Sequence, residues 1–394
     1  MIPEVRAKIE HIQLRSISEG YKKSKVGVIP DAWCCYQIHE CLSICNYERK
    51  PISEDVRKTI PGPYPYYGPT QAQGYIATYE SEGPAVLIGE DGDHFLKYKN
   101  QEMTMYVDGK YTVNNHAHVL RGTELCETKW FYYAYQHKSL FDAITRQGAG
   151  RYKLTKEALI KLSLQCPPIE EQKKIISILN TQDKVIKLKE KRLAEKQRQK
   201  KYLMQQLLTG KKRLPGFLKS WKTVELGEIF NYIQPTAYLV KTTDYDDSYK
   251  TPVLTAGKTF ILGYTNETEG VFTKVPVVIF DDFTTATKYV DFPFKVKSSA
   301  MKILTIKDGL SIVFAYEAMQ LIKFTVGGHE RHWISKYSCL TIDIPDIEEQ
   351  TAIAEVLSAA DREIDLLRQD IEQEKQKKKA LMQLLLTGIV RVTV

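Results

Sequence analysis

The sequence contains no run of about 18 apolar residues, the length that a helix needs to span a membrane. It lacks the G-x-x-x-x-G-K-[ST] loop that binds nucleotide phosphates. Its first residues, MIPEVRAKIEHIQLRS, carry charges throughout instead of the apolar core of a signal peptide. The seven cysteines are odd in number and irregularly spaced, which argues against a disulfide framework. We therefore expect a cytoplasmic protein that is neither a membrane protein nor a P-loop hydrolase.

Four cysteines lie close together in sequence near one histidine, which raises the question of a zinc site. They are Cys34, Cys35, Cys41 and Cys45, with His39 between them. Their spacing does not match the paired ligands of structural zinc sites. Buried thiols on a strand and a helix are the better interpretation, and no metal site is expected.

The length and charge of the chain point to more than one domain. With 394 residues, 43% hydrophobic and 26% charged, it should form two or three domains with sizeable cores. The net charge of +8 permits a nucleic-acid partner without requiring one. The segment 169–213 has fourteen Lys and Arg against five Asp and Glu, a net charge of +9, whereas 347–391 has seven against nine, a net charge of −2. One segment thus carries an excess as large as that of the whole chain.

A long repeat dominates the sequence. KKYLMQQLLTG (200–210) returns as KKALMQLLLTG (378–388), and a shift of 178 residues aligns 169–213 with 347–391 at 19 identical positions out of 45. Each copy follows a proline, begins with two glutamates that favour a helix start, and ends in Thr-Gly. Each copy is therefore predicted to be a helix of about 40 residues, or roughly 60 Å.

Apolar residues recur every seven positions in both copies, the spacing with which long helices pair. The predicted pairing residues are Leu179, Ile186, Leu193 and Leu207 in the first copy and Leu357, Ile364, Ile371 and Leu385 in the second. Each row also contains a lysine, Lys200 or Lys378. We interpret these lysines as side chains whose stems pack while their charges reach water. The alternative is a device that fixes the helix register or a gap where another helix docks.

Shorter stretches outside the helices also repeat in the same order, for example PAVLIGEDG (84–92) and PVVIFDDFT (276–284). AVLIG, HAHVL, VPVVIF and MKILTI are typical of strands, whereas TKWFYYAYQHKSLFDAI and GLSIVFAYEAM are typical of helices. The predicted fold class is α+β, with two globular domains joined by two long helices that pair as an antiparallel coiled coil around an internal pseudo-twofold.

The predicted boundaries follow from the repeat. They are 1–167 for the first globular domain, including an amphipathic or helical leader at 1–25, 168–210 and 346–388 for the two long helices, 211–345 for the second globular domain, and 389–394 for the tail.

The doubled motif carries a resemblance to a known family. P-I-E-E-Q (168–172) or P-x-I-E-E-Q (345–350) precedes the apolar heptads, which end in L-M-Q-x-L-L-T-G, and the two copies separate dissimilar domains. From about Val26 onward the chain resembles the specificity subunit of type I restriction-modification systems. The resemblance implies that each globular domain is a target-recognition domain that reads one half of a split, asymmetric DNA site.

The same resemblance implies the partners. The paired helices would set the spacing of the half-sites and bind two methyltransferase subunits, and motor-nuclease subunits would complete the complex. The chain itself would contain no catalytic residue; S-adenosylmethionine, ATP and Mg²⁺ would be used by the partner subunits. The basic excess of the first helix is by default a solvated charged face. The two functional interpretations are that it faces the spacer DNA or an acidic surface of a methyltransferase.

Candidate DNA-binding residues lie in polar, glycine-containing loops, because base edges are read by Arg, Lys, Asn, Gln and acidic side chains and phosphates by cations and hydroxyls. They are Gln71, Gln73, Arg146, Gln147, Arg151 and Lys153 in the first domain, and Lys258, Thr284, Thr285, Lys288, Lys297, Ser298 and Arg331 in the second. A loop that packs on its own domain explains the segment containing Gln71 and Gln73 equally well.

Two other functional hypotheses remain at this point. An assembly scaffold would use the paired helices to organise enzymes without reading DNA. A self-contained modification or nuclease enzyme is the other hypothesis. Asp281 and Asp282 after a strand hint at a metal-dependent nuclease, although these aspartates are better explained by orienting a loop or by accepting a hydrogen bond from cytosine N4.

Overall fold

A computed structural model describes residues 19–146, 151–255, 259–324, 332–334 and 336–393. The chain divides into two units. The first unit contains the residues up to Leu188 and those from Ile371 onward, and the second unit contains Lys189–Asp370. No helix in the described part of the chain is both long enough and apolar enough to cross a membrane.

The first unit opens with fourteen short strands and four short helices in the described ranges. The strands are β1 Tyr21–Ser24, β2 Gly27–Pro30, β3 Cys34–Gln37, β4 Leu42–Ile44, β5 Pro61–Tyr67, β6 Ala72–Ile76, β7 Ser81–Glu82, β8 Ala85–Gly89, β9 Thr104–Val107, β10 Lys110–Val113, β11 Ala117–Gly122, β12 Thr145–Arg146, β13 Tyr152–Lys153 and β14 Ser163–Cys166. The helices are α1 Ile38–Cys41, α2 Glu54–Thr59, α3 Thr128–Tyr135 and α4 Lys156–Lys161, with 3-10 turns at Asn46–Glu48 and Asp93–Lys97.

The long helix α5, Ile169–Leu207, leads from the first unit into the second. The second unit then contains β15 Lys222–Glu225, α6 Leu226–Ile229, β16 Phe230–Ile233, β17 Thr251–Leu254, β18 Ile261–Thr265, β19 Val277–Asp281, β20 Thr287–Val290, β21 Lys295–Val296, β22 Met301–Ile306, α7 Ile312–Met319 and β23 Thr341–Ile344, with 3-10 turns at Pro235–Tyr238 and Tyr337–Cys339. The second long helix, α8, spans Ile347–Leu386.

The two globular parts share one sheet plan. Antiparallel sheets run in the order β4-β11-β8-β9 in the first unit and β16-β22-β19-β20 in the second. Each unit also has a smaller sheet, and the two smaller sheets share one pairing pattern. β5 pairs antiparallel with β6 and parallel with β10, as β17 does with β18 and β21. The weak sequence similarity between the two globular parts therefore marks a structural repeat of these two sheets.

Each globular part packs against the start of one long helix and the end of the other. In the first unit the core contains Ile175 and Leu179 from α5 and Leu385 from α8. In the second unit it contains Leu207 from α5 and Leu357 from α8. Within each unit the two long helices therefore run in opposite directions, and the predicted antiparallel pairing is confirmed.

The predicted pairing residues form the seam between the helices. Leu179, Ile186, Leu207, Leu357, Ile364, Ile371 and Leu385 are buried, and Leu193 is half-buried. Polar side chains interrupt the seam at its middle, where Gln182 Nε2 donates to Glu374 Oε2 at 2.6 Å. Burial of these side chains supplies the stabilisation that a long polar helix cannot provide by itself.

Both lysines of the apolar rows make ion pairs across the seam, so the interpretation that their charges reach water is wrong. Lys378 Nζ lies 2.7 Å from an Asp183 carboxylate oxygen, and Lys200 Nζ lies 2.6 Å from Asp361. Asp361 is the residue that the 178-residue repeat aligns with Asp183. Both lysine side chains are largely buried, and Lys200 Nζ also lies 3.0 Å from a carboxylate oxygen of the buried Glu317. A shift of one helix along the other would separate each lysine from its aspartate, which supports the alternative that these lysines fix the helix register.

Ion pairs between the two long helices match part of the difference in net charge between them. In the second unit the α5 side chains of Lys189 and Lys196 lie 2.8 Å and 2.9 Å from Asp370 and Glu363 of α8. The basic excess of the first helix is thus partly matched by acidic residues of the second.

The second glutamate of the I-E-E-Q motif joins each globular part to the start of a long helix. Glu171 is buried, where it accepts hydrogen bonds from Trp33 Nε1 at 3.2 Å and from the Arg391 guanidinium at 2.6 Å. Glu349, its repeat equivalent, accepts from Trp221 and Arg213 in the same way. The motif that carries the family resemblance therefore has a structural role in both units.

The Thr-Gly that ends each repeat has a steric reason. Gly388 has a φ of +73°, and a Cβ atom there would lie 2.4 Å from Pro30 Cγ. Gly210 has a φ of +65° at the equivalent turn. A residue other than glycine would be strained at both helix ends.

Two predicted elements differ from the structure. Residues Tyr21–Ser24, predicted to belong to a leader, form β1 because they pair with β2 as a hairpin; residues 1–18 lie outside the described residues. The helix predicted for TKWFYYAYQHKSLFDAI ends at Tyr135. Its last turn tightens through a bond from Gln136 N to Tyr133 O, and the chain then turns again at Leu140.

Candidate nucleic-acid interface

An open polar cavity of about 540 Å³ lies in the first unit where the β5–β6 turn meets the chain after β8. Its lining includes two predicted DNA-binding residues, Gln73 and Arg151, which lie 78 positions apart in the sequence. Lys97, Gln101 and His116 line it as well. The fold thus brings together donors from separate loops that could contact bases or phosphates.

Gln73 is exposed on β6, and its amide is partly held in place. Asn114 Nδ2 donates to Gln73 Oε1 at 3.3 Å, and Asn114 Oδ1 in turn accepts from the backbone N–H of His116. Among the described residues the Gln73 amide nitrogen has no hydrogen-bond acceptor, so it can donate to a base acceptor. Gln71 lies exposed in the turn before β6.

Two acidic residues next to this cavity hold neighbouring side chains in place. Glu90 accepts from Arg49 at 2.6 Å and lies 3.5 Å from Lys153 Nζ. Asp91 Oδ2 lies 2.8 Å from His116 Nδ1. Lys153 is half-buried and ion-paired, which leaves it less available to a phosphate than an exposed arginine.

Burial sets the protonation of one histidine in the cavity wall. His94 lies under the cavity, stacked on Phe95, and burial lowers the pKa of its imidazole. The ring is therefore neutral near pH 7 and adds no positive charge to the cavity.

The β12–β13 hairpin presents the first unit's exposed arginines. Arg146 on β12 lies over the ring of Tyr152 on β13 at 5.7 Å, and Arg151 directly precedes β13. Both arginines are exposed. Gln147, between them, lies outside the described residues.

In the second unit the predicted residues Thr284 and Thr285 form a tight turn between β19 and β20. Asp281 organises this turn by accepting from the Thr284 hydroxyl at 2.5 Å and from the Phe283 N–H at 3.0 Å. Thr285 has a φ of +58°, a conformation that few residues other than glycine adopt. The turn presents Thr284 and the exposed ring of Phe283, with Lys288 exposed on the following strand.

The aspartate next to Asp281 has a structural environment. Asp282 is 1% exposed and lies 3.4 Å from Lys302 Nζ, which is 0% exposed. Its Oδ1 also accepts from the backbone N–H of Trp333 at 2.8 Å. The two aspartates thus hold a turn and a buried cation, which agrees with a loop-orienting role and leaves neither carboxylate positioned as an open metal site.

The remaining predicted residues of the second unit lie after β21. Lys297 is exposed, and its backbone N–H donates to Leu254 O at 2.9 Å. Ser298 Oγ accepts from Ala300 N at 3.2 Å, which shapes the turn before β22. Lys258 and Arg331 lie outside the described residues.

Sequence reasoning missed several surface residues near the candidates. Lys97 and Gln101 come from the polar stretch LKYKNQ, which overlaps the end of the 3-10 turn Asp93–Lys97, and its lysine density was the available signal. The exposed aromatic rings of Tyr75 and Phe283 flank Gln73 and Thr284 in sequence. Exposed aromatic rings beside polar donors offer apolar contacts to a base or its methyl group.

The sequence model of the type I restriction modification DNA specificity domain matches residues 30–197 and again 219–376, most of the chain. The chain belongs to this family. It contains two copies of the specificity domain, as the resemblance predicted. Each match covers one globular part and most of the long helix that follows it.

Several relatives are similar to this chain in sequence. The specificity subunit of the type I restriction enzyme EcoR124I/EcoR124II from Escherichia coli is 55% identical over 140 residues, 34% of each chain. A putative specificity subunit of the type I restriction enzyme MjaX from Methanocaldococcus jannaschii is 25% identical over 431 aligned positions, 95% of this chain and 97% of that one. The alignment to the E. coli protein thus spans about a third of that relative's length.

A solved structure shows the same fold. The crystal structure of the S subunit of a type I restriction-modification system from M. genitalium superposes with a TM-score of 0.67. The superposition covers 90% of this chain and 96% of that one at 13% sequence identity. The architecture is therefore shared although few residues are.

Proposed function

We propose that the two globular parts read the two halves of a split, asymmetric DNA target. The observation that carries this proposal is the repeat itself: both specificity domains have the same sheet order, yet they carry different side chains on the corresponding loops. The segment after β8 carries Lys97 and Gln101, for example, whereas the turn after the corresponding strand β19 carries Thr284. Two readers with one scaffold and different contacts select two different short sequences.

Within each reader we assign roles by chemistry. In the first unit the Gln73 amide suits the adenine edge, whereas Arg146 and Arg151 suit guanine or phosphate oxygens. In the second unit the exposed Lys288 and Lys297 suit phosphates. Hydroxyls and the remaining candidates supply further contacts: Gln71, Gln147, Lys153, Lys258, Thr284, Thr285, Ser298 and Arg331.

The long helices, we propose, set the number of unread bases between the half-sites and bind the enzymatic subunits. Two methyltransferase subunits would bind to the two copies of the repeat, and motor-nuclease subunits would join them. S-adenosylmethionine, ATP and Mg²⁺ would act on those partners, and this chain would position them without catalysing a step. Its free cysteine thiols suit the reducing cytoplasm, where we place the complex.

A gel-shift experiment with the matching methyltransferase tests whether the chain reads DNA. Methylome sequencing of cells that express both proteins first identifies the modified motif, which we expect to be two unlike short sequences separated by unread bases. The complex should then retard a duplex that contains this motif and release it to an unlabelled duplex of the same motif more readily than to a scrambled duplex. A complex that assembles but competes equally with both duplexes supports the scaffold hypothesis instead.

A further inference from the structure

Three cysteines that are far apart in the sequence meet inside the first unit. The sulfur atoms of Cys41, Cys126 and Cys166 all lie within 4.8 Å of one another. Of the four cysteines that lie close together in the sequence, only Cys41 belongs to this group, and Cys34 is exposed and not buried as predicted. We call Cys41, Cys126 and Cys166 the thiol cluster.

The cluster joins three elements of the unit. Cys41 ends α1, Cys126 lies two residues before α3, and Cys166 ends β14, three residues before the long helix α5 begins. The three side chains are 0%, 0% and 3% exposed. A ligand held by all three sulfurs would tie the start of the long helix to two separate parts of the globular domain.

The second unit offers an internal comparison. Pairing of β15 with β23 matches that of β3 with β14, so Cys41 corresponds to Ile229 and Cys166 to Ile344. The helices α3 and α7 correspond in the same way, which places Leu310 where the first unit has Cys126. All three residues belong to the core of the second unit or pack against it.

This comparison separates two explanations for the three cysteines, metal binding and the packing of an apolar core. The shared fold is satisfied at these three positions by branched aliphatic side chains, which fill a core well. In the first unit all three positions hold cysteine at once, and the three sulfurs converge on one point. Filling an apolar core does not require that coincidence, whereas shared coordination of one ion does.

We propose that the thiol cluster binds a single thiophilic d¹⁰ metal ion, Zn²⁺ or Cu⁺. Thiolate sulfurs select these ions over Mg²⁺ and Ca²⁺. Zinc–sulfur bonds of about 2.3 Å place two sulfurs roughly 3.8 Å apart, so a contraction of about 1 Å closes the cluster around an ion. Binding forms metal–sulfur bonds and releases the thiol protons to solvent, with no change in oxidation state.

The number of ligands bears on which ion is bound. Among the described residues, no fourth His, Cys, Asp or Glu joins the group. Structural Zn²⁺ takes four ligands and would need one from outside this set, whereas three sulfurs can complete the coordination of Cu⁺. Both ions use the same three sulfurs, and the experiment separates them.

The test is metal analysis of the full-length chain, purified under reducing, oxygen-free conditions and reconstituted separately with Zn²⁺ and with Cu⁺. We expect about one ion per chain to remain after gel filtration, and the preferred ion to raise the thermal midpoint. Cobalt substitution should give the intense near-ultraviolet absorption of thiolate-bound Co²⁺. Wild-type protein that retains neither ion would overturn the proposal.

Variants locate the site. Cys126→Ser should lower the affinity for the retained ion by roughly tenfold or more. The matched control is Cys45→Ser, because Cys45 is also a buried thiol of this unit and lies outside the cluster. Equal loss in both variants would place the ion elsewhere and contradict the assignment.

A second variant guards against misfolding. The triple change Cys41→Ile, Cys126→Leu and Cys166→Ile introduces the residues that the second unit uses at these positions. This variant should bind no ion, and its thermal midpoint should no longer respond to a chelator. Retention of one ion per chain by the triple variant would overturn the proposal.

Discussion

Individual residues show where a sequence pattern allows two interpretations and the structure supports one of them. Asp281 and Asp282 are adjacent after a buried strand, a pattern that the sequence shares with metal-dependent nucleases. In the structure Asp281 shapes its own turn, whereas Asp282 lies buried beside the equally buried Lys302. Side-chain burial depends on contacts distant in sequence, so the sequence alone offered both interpretations.

The buried pair of Asp282 and Lys302 leads to a stability prediction. Asp282→Ala leaves the Lys302 ammonium buried without its counter-charge, which should lower the free energy of unfolding by about 3–5 kcal/mol. Asp291→Ala, at an exposed aspartate of the same unit, should change it by about 0.5 kcal/mol or less. Urea unfolding of the full chain measures both, and equal effects would show that Asp282 is not a structural residue.

Glu267 gives the fold a predictable pH dependence. Burial acts to raise the pKa of its carboxyl, but hydrogen bonds from Lys295 Nζ and from the backbone N–H groups of Thr242 and Lys241 outweigh burial and lower that pKa to about 2. Because the folded-state pKa is depressed, ionised Glu267 stabilises the second unit above its unfolded-state pKa of 4.5. That stabilisation is lost as the pH falls from there toward 2.

The corresponding variant is Glu267→Gln. Between pH 4.5 and 2 its unfolding free energy should fall less steeply than that of the wild type, because the variant has no carboxylate to protonate at this position. Glu269→Gln, at an exposed neighbour, is the matched control and should keep most of the wild-type slope. An unchanged slope in Glu267→Gln would contradict the role of this ion pair.

At the scale of elements, the long helices were predictable and the sheets were not. The observed helices, Ile169–Leu207 and Ile347–Leu386, fall within the predicted segments because heptads, acidic starts and Thr-Gly ends are local signals. The strands are two to seven residues long, and their order depends on pairing between distant segments. The partners of the row lysines could not be predicted for the same reason, since Asp361 lies 161 residues from Lys200.

The seam between the helices can be tested with matched variants. Ile186→Asp and Ile364→Asp each place a charge at a buried position and should lower the free energy of unfolding by about 3 kcal/mol or more. Leu188 and Leu366, on the same helices, are 66% and 65% exposed, so Leu188→Asp and Leu366→Asp should change it by about 0.5 kcal/mol. Circular dichroism during urea titration measures the four variants. Seam and control variants of equal stability would refute the pairing.

At the scale of the whole molecule, the alternation of globular domains and long helices could be predicted because the helix motif occurs twice in the sequence. The same motif indicated the family. In the structure its second glutamate hydrogen-bonds each globular part to the start of a long helix. The bases that we propose each globular part reads could not be predicted, because such readout would depend on a few side chains placed by loops. Gln73 and Arg151, for instance, share a cavity only after β5, β6 and β13 have formed.

The measurement that tests the account most directly replaces residues 215–344 with the corresponding segment of a specificity subunit of different target. Methylome sequencing then compares cells that express the parent or the hybrid chain with the same methyltransferase. If each globular part is an independent reader, one half of the methylated motif changes, whereas the other half and the number of unread bases between them stay the same. A hybrid that assembles and methylates a motif altered in both halves would contradict the claim of two independent readers.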